Sequence, residues 1–131
     1  MIEHGKFTNN SSNKTVICGK KIMNLSTPVV MGIVNLTDDS FYDGGKYNCL
    51  ESAKRRIEEI VCQKADIIDL GACSTRPGAE LVPVEEEIRR LIPAIRFIKS
   101  EFPNVPISID TVWSKVCIAA INEGADIIND I

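Results

Sequence analysis

Histidine is almost missing from this chain: one residue, His4, in 131. With it go the histidine-built zinc sites and the Ser-His-Asp triad, since one histidine in a polar leader supplies neither. The five cysteines (Cys18, Cys49, Cys62, Cys73, Cys117) are scattered, with no C-x-x-C pair. An odd count without metal-like spacing excludes a disulfide framework and reads as reduced intracellular thiols. No apolar run approaches the roughly 20 residues that cross a bilayer. The opening MIEHGKFTNNSSNK lacks the apolar core of a secretion signal. A net charge of −3 with no concentrated basic face argues against nucleic acid. These absences leave a cytoplasmic protein with neither a membrane nor a nucleic acid as partner. What is present, 131 residues that are 44% hydrophobic, suffices for one domain with a real core.

The stretch VVMGIVNLTDDSFYDGG (29–45) organises the rest. Its apolar start, Val29, Val30, Met31, Ile33 and Val34, reads as a strand buried on both faces and ending at Asn35. A polar loop comes next. Before the stretch, residues 1–14 read as a flexible leader, and TVICGKKIMN (15–24) as a short hairpin about a Gly-Lys-Lys turn, placed to plug or cover one end of the downstream fold. After it, Leu50, Ala53, Ile57, Ile60 and Val61 recur at helical spacing. ADIIDLG (65–71) then forms a second buried strand ending at Asp69, and ACSTRPGAEL a loop. A second helix runs from about Pro83 to Glu101. Its first-turn acids Glu85, Glu86 and Glu87 suit the positive end of the helix dipole. Pro93, inside it, predicts a kink or a displaced turn. PISID (106–110) is a third strand, Ser114 to Glu123 a third helix with Ser114 as cap and Gly124 past its end, and ADIINDI (125–131) a fourth strand.

Alternating strands and helices imply parallel strands joined by right-handed crossovers. Each strand ends in Asn or Asp: Asn35, Asp69, Asp110, then Asn129 and Asp130. Polar groups gathered at strand ends are how a (β/α)8 barrel builds an active site, and a doubly wound open sheet would gather them at its switch point. Some of these acids, Asp130 and Asp69 first, are equally explained as caps of turns or helices.

Four segments, MGIVNLTDDSFYDGG (31–45), DLGACSTRPGAE (69–80), ISIDT (107–111) and GADIINDI (124–131), together resemble dihydropteroate synthase, a folate-pathway family inhibited by sulfonamides. The match runs from about 25 to 131 in order and spacing. The resemblance implies a TIM barrel, of which residues 15–131 are the N-terminal part: about four parallel strands and three helices after the hairpin. It implies a transferase that joins 6-hydroxymethyl-7,8-dihydropterin diphosphate to p-aminobenzoate, releasing diphosphate with Mg²⁺. By the same resemblance Asn35 is the metal-linked asparagine, Asp110 the carboxylate that hydrogen-bonds the pterin, and Asn129 the amide that reads its edge. Ser74, Thr75, Arg76 and Pro77 match the loop that closes over diphosphate and shapes the aminobenzoate pocket. Arginine's forked donors suit an anion there. Asp110 and Arg76 are the implied catalytic pair, and Asp38 to Gly45 a companion lid.

Two positions depart from the family: Asp38 stands where proline is usual, and Cys73 where glutamate is common. The family's later acid, its lysine and its Arg-x-His strand end have no counterparts in 1–131. A closed barrel takes eight strands and typically ~250 residues. The chain is therefore expected to be part of a longer enzyme, inactive alone, with a full-length form that is a homodimer. Two alternatives stand beside this: the pterin-binding domain of a folate-dependent methyltransferase, and a non-catalytic pterin-binding half-barrel.

Overall fold

The computed structural model describes residues 14–37, 46–73, 78 and 81–130, with 46–49 as backbone. Two short strands come first. β1 (Thr15–Cys18) and β2 (Lys21–Asn24) pair antiparallel. Their turn is Gly19-Lys20, one residue tighter than the Gly-Lys-Lys reading, with Gly19 at φ +61 where only glycine is unstrained. Lys21 thereby becomes a strand residue. Its Nζ donates to the Val105 carbonyl at 3.1 Å and to Asp126 Oδ2 at 3.2 Å. Asp126 also accepts from the Ile107 N–H at 3.0 Å. The hairpin is thus fastened at the amino ends of the later strands through Lys21, while Ile17 and Ile22 stay exposed.

The remainder alternates: β3 (Met31–Asn35), α1 (Lys46–Cys62), β4 (Ile67–Gly71), α2 (Val84–Glu101), β5 (Ile107–Asp110), α3 (Ser114–Glu123) and β6 (Ile127–Asn129). The four strands form one parallel sheet in the order β3-β4-β5-β6. Chain order and spatial order coincide, so no switch point occurs among the described strands. That is barrel winding, and it sets aside the doubly wound alternative.

One face of the sheet carries Val34, Ile68, Leu70, Ile107 and Ile109, all at most 2% exposed. Against it pack Ile57 of α1 and Leu91, Ile95 and Ile98 of α2, each at most 1% exposed. A fully buried side chain of this kind contributes about 1.5–3 kcal/mol, so this layer is the main source of stability.

Three local expectations need correction. β3 is not buried on both faces: Ile33 is 58% exposed while Val34 is 2%. It is an edge strand covered by α1 on one side only. β4 ends at Gly71, so Asp69 lies inside a fully buried strand. α3 begins at Ser114 but its N-cap is Trp113, with no side-chain cap. Instead the Trp113 N–H donates to Thr111 Oγ1 at 3.2 Å, a local turn that sets up the helix start. Pro93 lies inside α2, which is helical on both sides of it. Leu91, Ala94, Ile95 and Ile98, buried on both sides of the proline, hold the helix in place through packing. Pro83 serves as its N-cap residue, its carbonyl accepting from the Glu86 and Glu87 N–H groups at 3.0 Å. Gly124 comes after α3 as expected, in the left-handed region at φ +110.

Candidate active site

Strand register, more than any single residue, makes the site. Asn35 pairs with Gly71, Gly71 with Asp110, and Asp110 with Asn129. Side chains alternate across a strand, and partners in a parallel ladder share a face. Asn35, Asp110 and Asn129 therefore stand in one row on the face away from the helices, at the carboxyl ends of their strands. The residue between the first two is a glycine. A Cβ built there would lie 3.7 Å from Asn35 Oδ1 and 3.7 Å from Asp110 Oδ2. Gly71 leaves a slot flanked by a carboxamide oxygen and a carboxylate. Three of the site residues named from the sequence are thus brought together: Asn35, Asp110 and Asn129.

Directly below runs a second row, Ile33–Asp69–Ser108–Ile127. Asp69 is 3% exposed and Ser108 fully buried. Neither Asp69 Oδ1 nor Ser108 Oγ has a hydrogen-bond partner among the described residues. Asp69 is thus no turn cap. Burial raises the pKa of Asp110 above the ordinary aspartate value, and the negative charge of Asp69 raises it further.

Behind the row, α2 contributes two residues that the sequence presents only as a helix-start acid and as polar surface. Glu87 is 1% exposed, and Oε2 is without a partner among the described residues. Burial raises its pKa, a hydrogen bond from Thr111 opposes the rise, and the Asp110 charge adds to it. Its position gave the signal. Glu87 is three residues past Val84 and four before Leu91, so it lies on the apolar stripe and not on the solvated face. Arg90 bonds through Nη1 to the carbonyls of Leu36 and Ala72 at 3.4 and 3.3 Å, and through Nε to Glu86 Oε1 at 3.0 Å. No sequence pattern announces the two carbonyl contacts, which span 54 and 18 residues.

Among the described residues no three His, Cys, Asp or Glu converge to hold a metal unaided. A carboxamide oxygen opposite a carboxylate across an empty glycine slot does fit a hard divalent ion that keeps water and takes phosphate oxygens. Asn35 supplies such an oxygen. Ser74, Thr75, Arg76, Pro77 and the lid positions Asp38 to Gly45 lie outside the described residues. Cys73, at the root of the second loop, is half-buried.

Comparison with known proteins agrees with the fold. Residues 31–131 match the family model described as "Pterin binding enzyme". A dihydropteroate synthase of Clostridium beijerinckii is 52% identical over 102 residues, covering 78% of this chain and 38% of the relative. The solved dihydropteroate synthase of Xanthomonas albilineans with 4-aminobenzoic acid superposes with a TM-score of 0.83 at 44% identity, over 89% of this chain and 43% of that one. The same enzyme in complex with 7,8-dihydropteroate gives 0.78 at 40% identity, over 90% and 42%. The chain spans less than half the length of these relatives. With the sequential parallel winding, the strand-end row and the match over 31–131 in agreement, this chain belongs to the pterin-binding enzyme family.

Proposed function

We propose that this chain is the N-terminal portion of a dihydropteroate synthase, condensing 6-hydroxymethyl-7,8-dihydropterin diphosphate with p-aminobenzoate to give 7,8-dihydropteroate and diphosphate. The observation that carries the reading is the row Asn35–Gly71–Asp110–Asn129 at the carboxyl ends of four consecutive parallel strands.

In this reading Asp110 accepts hydrogen bonds from pterin N–H groups, and its charge favours the positive charge that develops as diphosphate leaves. The Asn129 amide donates and accepts along the mixed edge of the ring. Arg76, with Ser74, Thr75 and Pro77, binds diphosphate and bounds the aminobenzoate pocket. Asn35 would hold Mg²⁺ beside the diphosphate, and the ion when bound would neutralise charge on the leaving group. The C–O bond to diphosphate breaks first, leaving the pterin methylene cation-like; the neutral amine of p-aminobenzoate then forms the C–N bond there, and its proton passes to solvent. The protein's contribution is orientation and stabilisation of separating charge. A cytoplasmic, homodimeric full-length enzyme completes the proposal. It keeps residues 1–14 as leader and 15–131 as the first part of a single barrel domain.

Diphosphate release tests it, with Mg²⁺, pterin diphosphate and p-aminobenzoate, on residues 1–131 and on the chain extended through any downstream reading frame. Turnover only in the extended protein is the expected result. Turnover by 1–131 alone would overturn the expectation that it is inactive by itself. Folded but silent protein in both cases, binding methyltetrahydrofolate better than pterin diphosphate, would overturn the synthase reading in favour of a methyltransferase domain.

A further inference from the structure

Arg90 reaches the site from behind. Its side chain is 14% exposed and lies between α2 and the carboxyl ends of β3 and β4. Nη1 donates to the Leu36 carbonyl at 3.4 Å and the Ala72 carbonyl at 3.3 Å. Leu36 is the residue after Asn35, and Ala72 the residue after Gly71. The two strand exits are also bonded to each other, the Leu36 N–H donating to the Gly71 carbonyl at 2.6 Å. On its other side the guanidinium is held by Glu86 through Nε at 3.0 Å, which fixes its plane. One planar cation thus spans the points where the chain leaves both strands.

This arrangement needs arginine. A guanidinium presents five donors in a rigid fork, so it can hold a carboxylate with one edge and backbone carbonyls with another. A lysine ammonium keeps the charge but has no fixed plane, and cannot hold Glu86 and both carbonyls in one geometry. Arg90 is set back behind the row, with Nη1 directed to backbone carbonyls and Nε to Glu86. We infer that Arg90 is a positioning residue, fixing the exits of β3 and β4 as one unit so that Asn35 and the chain entering the second loop take up their places together.

The substrate terms of the test rest on the proposed synthase reading, while the hydrogen-exchange terms do not. Amide exchange is measured on R90M and R90K, with R96M as control. Arg96 pairs with Glu123 on the exposed side of the same helix, far from the strand exits. In R90M, exchange at Leu36 and at Ala72–Cys73 is expected to rise together by about tenfold or more, with Ile109 in β5 unchanged. R96M should leave all of them as they were. In whichever form of the protein turns over, R90M should raise KM for both substrates about tenfold with kcat changed much less, because a misplaced loop exit impairs ground-state binding. R90K should recover thermal stability but not the two KM values. It keeps the test decisive if R90M does not fold. An even rise in exchange through the whole sheet would overturn the inference and leave Arg90 a general stabiliser. Wild-type behaviour of R90K would overturn it too. No turnover in the wild-type protein would count against the synthase reading alone, since exchange at the two exits still decides the role of Arg90.

Discussion

At the scale of the residue, the proposed site rests on a carboxylate that the fold holds in an unfavourable place. In the proposed reading Asp110 accepts from a pterin N–H most strongly when ionised, yet burial and the charge of Asp69 both raise its pKa. The consequences for stability and for binding have opposite signs. A raised acid costs folding stability once pH passes the unfolded-state pKa, and the full cost is reached above the folded one, because the folded state then holds a charge that the unfolded chain carries more easily. D110N should therefore melt no lower than the wild type at neutral pH, and higher if the ionisation cost dominates. Its affinity for pterin diphosphate should fall by about 1–3 kcal/mol, the loss of hydrogen bonds to a charged group. Thermal melts and a binding titration on one preparation check both. Pterin binding should also weaken, as pH drops, at a higher pH than an ordinary aspartate near 3.9 would dictate. D69N removes the neighbouring charge and should move that acid limb downward. A limb that stays put would mean that Asp69 does not act on Asp110.

At the scale of the element, two strand glycines answer differently to one added methyl. At Gly32 a Cβ would lie 2.2 Å from Ile60 Cγ2 and 3.3 Å from Ala65 Cβ. The nearer is a branch methyl close to the α1 backbone, so it has little freedom to yield. G32A should cost about 1–3 kcal/mol by forcing α1 away from β3, seen as a lower urea midpoint. At Gly71 the nearest atoms are 3.7 Å away, an ordinary contact. G71A should keep its stability or gain up to about 1 kcal/mol, since alanine loses less backbone entropy than glycine. It should nonetheless weaken binding, because the methyl enters the slot between Asn35 and Asp110. A stable G71A with full affinity would exclude that slot from the site. α2 illustrates the same division of labour. Leu91, Ile95 and Ile98 supply its packing, while on the same helix Arg90 reaches the exits of β3 and β4 and Glu87 bonds with Thr111 just past β5.

At the scale of the molecule, the edge strand β3 is covered on one side only. Val30 and Ile33 are each 58% exposed and Met31 39%, and β3 and β6 are the two edges of the sheet. Apolar surface beside strand edges favours association. The 131-residue chain alone should scatter light increasingly with concentration, and a form in which this face is covered should not. Monodisperse behaviour of 1–131 at high concentration would contradict this.

Hydrophobic patterning, with turn and cap residues, determined the order of strands and helices, the span of α3 and the placing of Asn35, Asp110 and Asn129 at strand ends, because these depend on neighbours within a turn or a pleat. The family was legible for the same reason, its motifs being continuous in the chain. Tertiary structure decided the rest. Register set Asn35 and Asp110 on either side of Gly71, and the edge position of β3 left Ile33 in the open. Packing turned Asp69 and Glu87 from surface-type acids into buried ones. Arg90 reads locally as one more charge on a polar helix face. Its role comes from carbonyls 54 and 18 residues away, which only the folded chain brings within reach of a single guanidinium.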